Sequence, residues 1–180
     1  MGKPRIVSIE VEWLTDEYPD TSWLGEYTSH RPDDYLINRG WAFERKDAGR
    51  GEYRYFIPEP SGEYHFTTLQ KMGYSKGQAD YLARKYCREN FERMESLNDG
   101  AWCFLGCQAK ATVSYPIGQG SRRLEHFTSG GLWGIESDSA PDYMDEIACN
   151  ELADLKAHLE TFGGDVSGFD ELAAGVDRAA

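Results

Sequence analysis

Ser129-Gly130-Gly131-Leu132-Trp133-Gly134-Ile135-Glu136-Ser137-Asp138-Ser139 is where this 180-residue chain changes character. Three glycines inside an apolar run predict a buried strand that carries a bulge or approaches another backbone closely. The Ser and Asp cluster after it, followed by Pro141, predicts the start of a helix. Upstream, acids and bases nearly balance: residues 1–124 hold eighteen Asp and Glu against seventeen Lys and Arg. Downstream, Glu125 to Ala180 holds thirteen against two, Lys156 and Arg178, a net −11 of the chain's −12. A field of one sign confined to one region repels nucleic acid and attracts a basic surface.

Working outward, Pro141 to Phe162 predicts a strong amphipathic helix. Met144, Ile147, Ala148, Leu152, Leu155, Leu159 and Phe162 fall on one stripe, and Gly163-Gly164 ends it. Before the glycines, Ala101 to Tyr115 is a long strand, apolar on both faces at its start, which predicts a central position. Pro116 to Gly120 is a hairpin-length turn, and Leu124 to Ile135 its antiparallel partner. A second helix begins at Ser75, where Ser75 and Gln78 fit a capping box, and stops at Asn98-Asp99-Gly100. At the start of the chain, Val7, Ile9, Val11 and Trp13 alternate with Ser8, Glu10 and Glu12, a half-buried strand. Ser22 to Tyr27 reads as a short strand or a packed loop, Lys46 to Gly51 as a polar turn, and Glu52 to Ile57 as a strand stopped by Pro58 and Pro60. A short helix is expected near Phe169 to Ala174.

This order predicts an α+β fold: an antiparallel sheet of about four or five strands with two main helices packed on one face. Residues 1–164 are expected as a single domain and 165–180 as a partly ordered acidic tail. Aromatics are plentiful (Trp 5, Tyr 11, Phe 8), as in a globular core. No apolar run approaches the ~20 residues of a membrane span, and the N-terminus does not read as a signal segment, so a cytoplasmic location is expected. Cys87, Cys103, Cys107 and Cys149 match no zinc spacing and are expected as small buried hydrophobes.

The motifs that announce phosphate binding, zinc proteolysis or a nucleophile elbow are absent from the sequence. His30, His65, His126 and His158 stand apart from one another. Two carboxylate groupings carry the candidate chemistry. Asp138, Asp142, Asp145, Glu146 and Asp154 lie off the apolar stripe of the last long helix, with few interleaved bases. Carboxylates a helical turn apart, ~5.4 Å, imitate sparsely the phosphates of duplex DNA, spaced one charge per ~1.7 Å of axis. The bland alternative is a solvated face. Asp16, Asp20, Glu136 and Asp138 form the other grouping, which would hold Mg²⁺ or Ca²⁺, or divide acid and base roles, if the strand ends meet. Against it, turns ordinarily contain Asp, and Asp138 also suits a helix N-terminus. Trp23, Trp41, Tyr53 and Tyr55 would offer a stacking platform if exposed, although packing is the commoner use of such residues. Nothing in the sequence requires a cofactor.

The segments Pro19 to Tyr27, Glu52 to Phe56, Gly100-Ala101-Trp102 and above all Ser129 to Ser139 resemble a family of small proteins encoded by phages and other mobile elements. The likeness spans most of residues 5–162. That family lends context rather than catalytic residues. The resemblance implies an acidic protein that binds a basic, nucleic-acid-handling component of host defence in the host cytoplasm and inhibits it. Such a protein would be of anti-CRISPR or anti-restriction type, in one version as a DNA mimic, without direct nucleic-acid or membrane binding. The alternatives are a metal-assisted hydrolase or nuclease using the second carboxylate group, and a structural or regulatory subunit.

Overall fold

Residues 3–45, 53–118, 120–162 and 165–179 are described by a computed structural model. Its strands are β1 (Arg5–Thr15), β2 (Gly25–Thr28), β3 (Phe43–Glu44), β4 (Tyr55–Pro58), β5 (Phe104–Gly118), β6 (Ser121–Thr128) and β7 (Leu132–Glu136). Its helices are α1 (Asp34–Arg39), α2 (Gly62–Lys71), α3 (Lys76–Asn98), α4 (Pro141–Thr161) and α5 (Phe169–Ala173). The chain divides into two compact units, Met1–Pro19 with Trp102–Ala180, and Asp20–Ala101. The span 1–164 thus contributes to both. The fold is α+β, but it holds two antiparallel sheets and five helices among the described residues, rather than one sheet with two helices. Strands β2, β3 and β4 make the second sheet, and α1 and α2 are helices beyond the two main ones and the short one expected near Phe169. The predicted turn at 46–51, the start of the strand at Glu52, Gln119 in the hairpin turn and the helix stop at 163–164 lie outside the described residues.

In the first unit β5 is central. β1 pairs along one edge, from Arg5 opposite Ser114 to Thr15 opposite Leu105. β6 and β7 share the other edge, β6 opposite residues 110–118 and β7 opposite residues 104–107. The stretch expected as one partner strand is therefore two, separated by Ser129-Gly130-Gly131. From Lys110–Thr128 to Cys107–Leu132 the partner advances one residue more than β5 does. A second extra residue falls between Leu132 and Ile135. Gly131 (φ 80°) and Gly134 (φ 78°) supply the left-handed backbone that these bulges need. The glycines thus mark bulges as read, but β7 is not a buried strand, for only Ile135 is fully inside.

A bulge also corrects the reading of β1. Ile6 faces Val113 and Ser8 faces Thr112, so Val7 is the extra residue and stands 46% exposed. Ile6, rather than Val7, joins Ile9 and Val11 on the core side. That core contains Ala109, Ala111 and Val113 of β5 with Leu152, Leu155 and Leu159 of α4 and Phe169 of α5. Cys107, Ile135, Met144, Ile147 and Ala148 continue it. The small residues on β5 let α4 lie close, which is why the apolar stripe of α4 is buried from Met144 to Leu159. Phe162, expected on that stripe, is 73% exposed because the helix ends at Thr161. The opposite sheet face is polar: Lys110 lies between Glu10 and Glu12, at 3.6 and 3.1 Å. Buried Thr112 and Ser114 bond His126 and Arg122. Trp133 folds back over Gly106 there, so close that a Cβ on Gly106 would meet its ring at 2.2 Å.

In the second unit Ser75 caps α3 with the reciprocal Gln78 bonds that the sequence suggests. Ser61 caps α2 by accepting from Tyr64 N–H, a start that Gly62 hides in the sequence. Gly62 is needed because the Trp41 ring occupies the place of its Cβ. Trp41 is 2% exposed, so it serves the core and no stacking platform. Phe43 stacks on Phe91, centroids 4.8 Å apart. Arg39 lies 4.0 Å above Trp41 and pairs with Asp80, which also holds Arg84 at 2.6 Å. No helix of the described residues is long and apolar enough to cross a membrane.

Two measurements check these contacts. Gly106→Ala should displace Trp133 and cost roughly 1–3 kcal/mol in urea denaturation, with altered Trp emission; unchanged stability and emission would contradict the packing. The hydrogen bond from Arg39 holds the Asp80 carboxyl below its ordinary value. Its contribution is therefore complete above the ordinary carboxylate range and lost as pH falls through the lowered value. Asp80→Asn should flatten the acid limb of the stability–pH curve below about pH 4; an unaltered limb would contradict the assignment.

Candidate functional site

The acidic surface is built on α4. Pro141 begins the helix, and the N-cap position falls on Ala140, which makes no side-chain cap bond. Twenty-one residues at 1.5 Å each give a rod of about 30 Å. With Met144 through Leu159 turned inward, the helical period puts Asp142, Glu146, Asn150, Ala153, Ala157 and Glu160 outward, all exposed. Asp142 and Glu146 are one turn apart. The next outward carboxylate, Glu160, is fourteen residues on, about 21 Å along the axis. The outer face is therefore acidic at its ends and neutral in the middle, which is not the continuous row that an imitation of DNA requires.

The remaining carboxylates have partners within the protein. Asp154 accepts the Gly130 N–H at 2.9 Å, and Glu151 accepts the Gly131 N–H at 3.0 Å. These are backbone donors that the bulge turns out of the sheet ladder. Ser129 remains in it, donating its N–H to Ala109 O and accepting Ala109 N–H on its hydroxyl, each at 2.9 Å. His158 adds a contact to Thr128 O at 3.4 Å and stands 4.0 Å from Asp154. On the other flank Asp145 pairs with Arg178 at 3.3 Å. The Arg178 carbonyl accepts the Trp13 indole N–H at 3.1 Å, and Lys156 grips both oxygens of Asp170 at 2.8 Å. These contacts tie residues 165–179 to the first unit.

All five carboxylates predicted to meet a partner are exposed; Asp145 and Asp154 also hold the contacts just described, and Asp138, Asp142 and Glu146 lie together at the N-terminal end of α4. Beside them a cavity of about 600 Å³ opens between this end and the last residues, lined by Ser137, Pro141, Met144, Ala174, Val176 and Arg178. Glu151 and the Asp145–Arg178 pair were not anticipated. The signal for Glu151 was present: a bulge at paired glycines frees N–H groups, and an acidic helix follows.

The second carboxylate grouping is divided between the two units. Asp16 accepts Tyr18 N–H at 3.1 Å and Asp20 accepts Ser22 N–H at 2.9 Å, each closing its own turn in a different unit. The bonds from Ser22 hold the Asp20 carboxyl below its ordinary value. Asp16 and Glu136 flank β5 on opposite edges, two strand spacings or ~10 Å apart. Among the described residues no three or more His, Cys, Asp or Glu side chains gather closely enough to hold a metal ion. All four cysteines are free. Burial raises the thiols of Cys87 and Cys107 to about 11, as for inert core residues, whereas Cys149 is exposed.

The division of roles among the acids gives a stability prediction. Asp154→Asn with Glu151→Gln should cost ~1–3 kcal/mol, since hydrogen bonds to charged groups contribute about 1.5–3 kcal/mol when well formed. It should also speed amide exchange at Gly130 and Gly131. Asp142→Asn with Glu146→Gln should leave both within error; equal losses in the two pairs would contradict the division. No family model matches the chain, and no curated protein or solved structure matches it either.

Proposed function

We propose that this protein acts by binding rather than by catalysis, presenting the N-terminal end of α4 to a basic surface of a nucleic-acid-handling host protein and inhibiting it. One observation carries the reading: the charge is segregated. The unit of Met1–Pro19 and Trp102–Ala180 contains seventeen Asp and Glu against seven Lys and Arg, a net −10, while Asp20–Ala101 is near balance at −2. Asp138, Asp142 and Glu146 concentrate that charge at one exposed place. A positive groove would be drawn to it by long-range attraction, and contact would be fastest at low ionic strength. The resemblance to proteins of phages and mobile elements supports an anti-CRISPR or anti-restriction role in the host cytoplasm. The spacing on α4 favours electrostatic docking over a phosphate-by-phosphate imitation of DNA. A metal-assisted hydrolase has less support, because the carboxylates invoked for it each serve a separate turn or strand.

Capture from a bacterial lysate at low and at high salt, with the retained proteins identified by mass spectrometry, tests the proposal. A nucleic-acid-binding protein retained at low salt and released at high salt is the expected result. Asp138→Asn, Asp142→Asn and Glu146→Gln together should weaken its binding roughly tenfold, at 0.2–1 kcal/mol per exposed ion pair. Retention indifferent to salt and to these substitutions would overturn the reading.

A further inference from the structure

A second site lies wholly within Asp20–Ala101 and owes nothing to the acidic face. Trp23, Pro60, His65, Tyr86, Glu89 and Asn90 line a cleft of about 360 Å³. His65 projects from α2, and Tyr86, Glu89 and Asn90 from α3. Trp23 comes from the turn before β2. The His65 and Tyr86 rings form a corner, centroids 5.2 Å apart and planes inclined by 58°. Asn90 donates to Glu59 O at 2.9 Å, which fixes the Pro60 wall against α3. Trp23 completes the cleft and stays 46% exposed, so its ring is accessible to a ligand.

The chemistry of the lining is selective. Aromatic faces carry negative quadrupole potential and attract a cation within ~6 Å of their centroids. Among the described lining residues the one charged group is the carboxylate of Glu89, and there is no Lys or Arg. Lys85 stands 3.6 Å from that carboxylate along α3, a solvent-exposed pair that leaves it open to a second cation. Burial pushes the His65 imidazole below its ordinary value, against the opposing pull of Glu59, which favours the uncharged ring. The Nε2 atom of His65 is buried without a hydrogen-bond partner. A strongly hydrated ammonium would lose its water shell in such a cleft, whereas a methylated one has little to lose.

From this geometry we propose that the Trp23–His65–Tyr86 cleft binds a trimethylammonium group, with Glu89 as its counter-charge. Choline is the probe, and the uncharged 3,3-dimethyl-1-butanol, which has the same shape, is the control. Binding is followed through the Trp23 indole N–H resonance of the whole protein. Choline should shift that resonance saturably, and the neutral isostere should bind at least about tenfold more weakly. Trp23→Ala should abolish the response at Tyr86 and His65, while Trp23→Phe, which keeps a ring, should retain most of it. The melting temperature of each variant separates lost binding from lost fold. A peptide bearing one trimethyllysine is the second arm: tighter binding than choline places the group on a protein, and weaker binding places it on a free small molecule. Equal affinity for choline and its isostere, or no saturable shift with either choline or the peptide, would overturn the proposal.

Discussion

One extra residue in the strand partner of β5 governs the architecture of the acidic unit. Because Ser129-Gly130-Gly131 advances the chain by one position more than β5, two backbone N–H groups leave the ladder, one at exposed Gly130 and one at half-buried Gly131. Donors freed from a ladder take another acceptor, and a carboxylate is a strong one. Asp154 and Glu151 on α4 meet that need. The bulge therefore determines which face of α4 turns toward β6, and with it which carboxylates remain for the solvent. Two bonds from charged acceptors also pin the helix in rotation, a task that an apolar stripe over small residues such as Ala109 and Ala111 performs less strictly.

The acid content of α4 consequently has two explanations rather than one. Asp154 and Glu151 satisfy the bulge, and Asp145 anchors the C-terminal segment through Arg178. Asp142 and Glu146, with Asp138 just ahead of the helix, lie together at its exposed N-terminal end, and Glu160 lies near the other. Net charge counted along the sequence assigns all of them to one field. The fold sorts them by which neighbour needs a charge.

Much of this was legible from residues. Ser75 with Gln78 announced α3, and Pro141 with its stripe announced α4, because capping and helical period are local properties. The bulge at Val7 was not legible: alternation looked unbroken, and only pairing with β5 reveals the added residue. Gly62 concealed α2, since its absent side chain answers to Trp41, a contact across twenty positions. The long insertion of Asp20–Ala101 between β1 and its partner β5 likewise depends on non-local pairing that spacing does not encode. For the site, residue types were readable but assignments were not. Asp16 and Asp20 close separate turns, and Trp41 belongs to the core rather than to a surface.

The proposed contact with a partner lies at the N-terminal end of α4 and not along its whole length. Hydrogen exchange of the complex, resolved by peptide, tests this most directly. Exchange should slow in residues 138–146 on adding the captured partner, with no change at Gly130 and Gly131, whose N–H groups are already held. Protection confined to Asp20–Ala101, or spread evenly along α4, would contradict it.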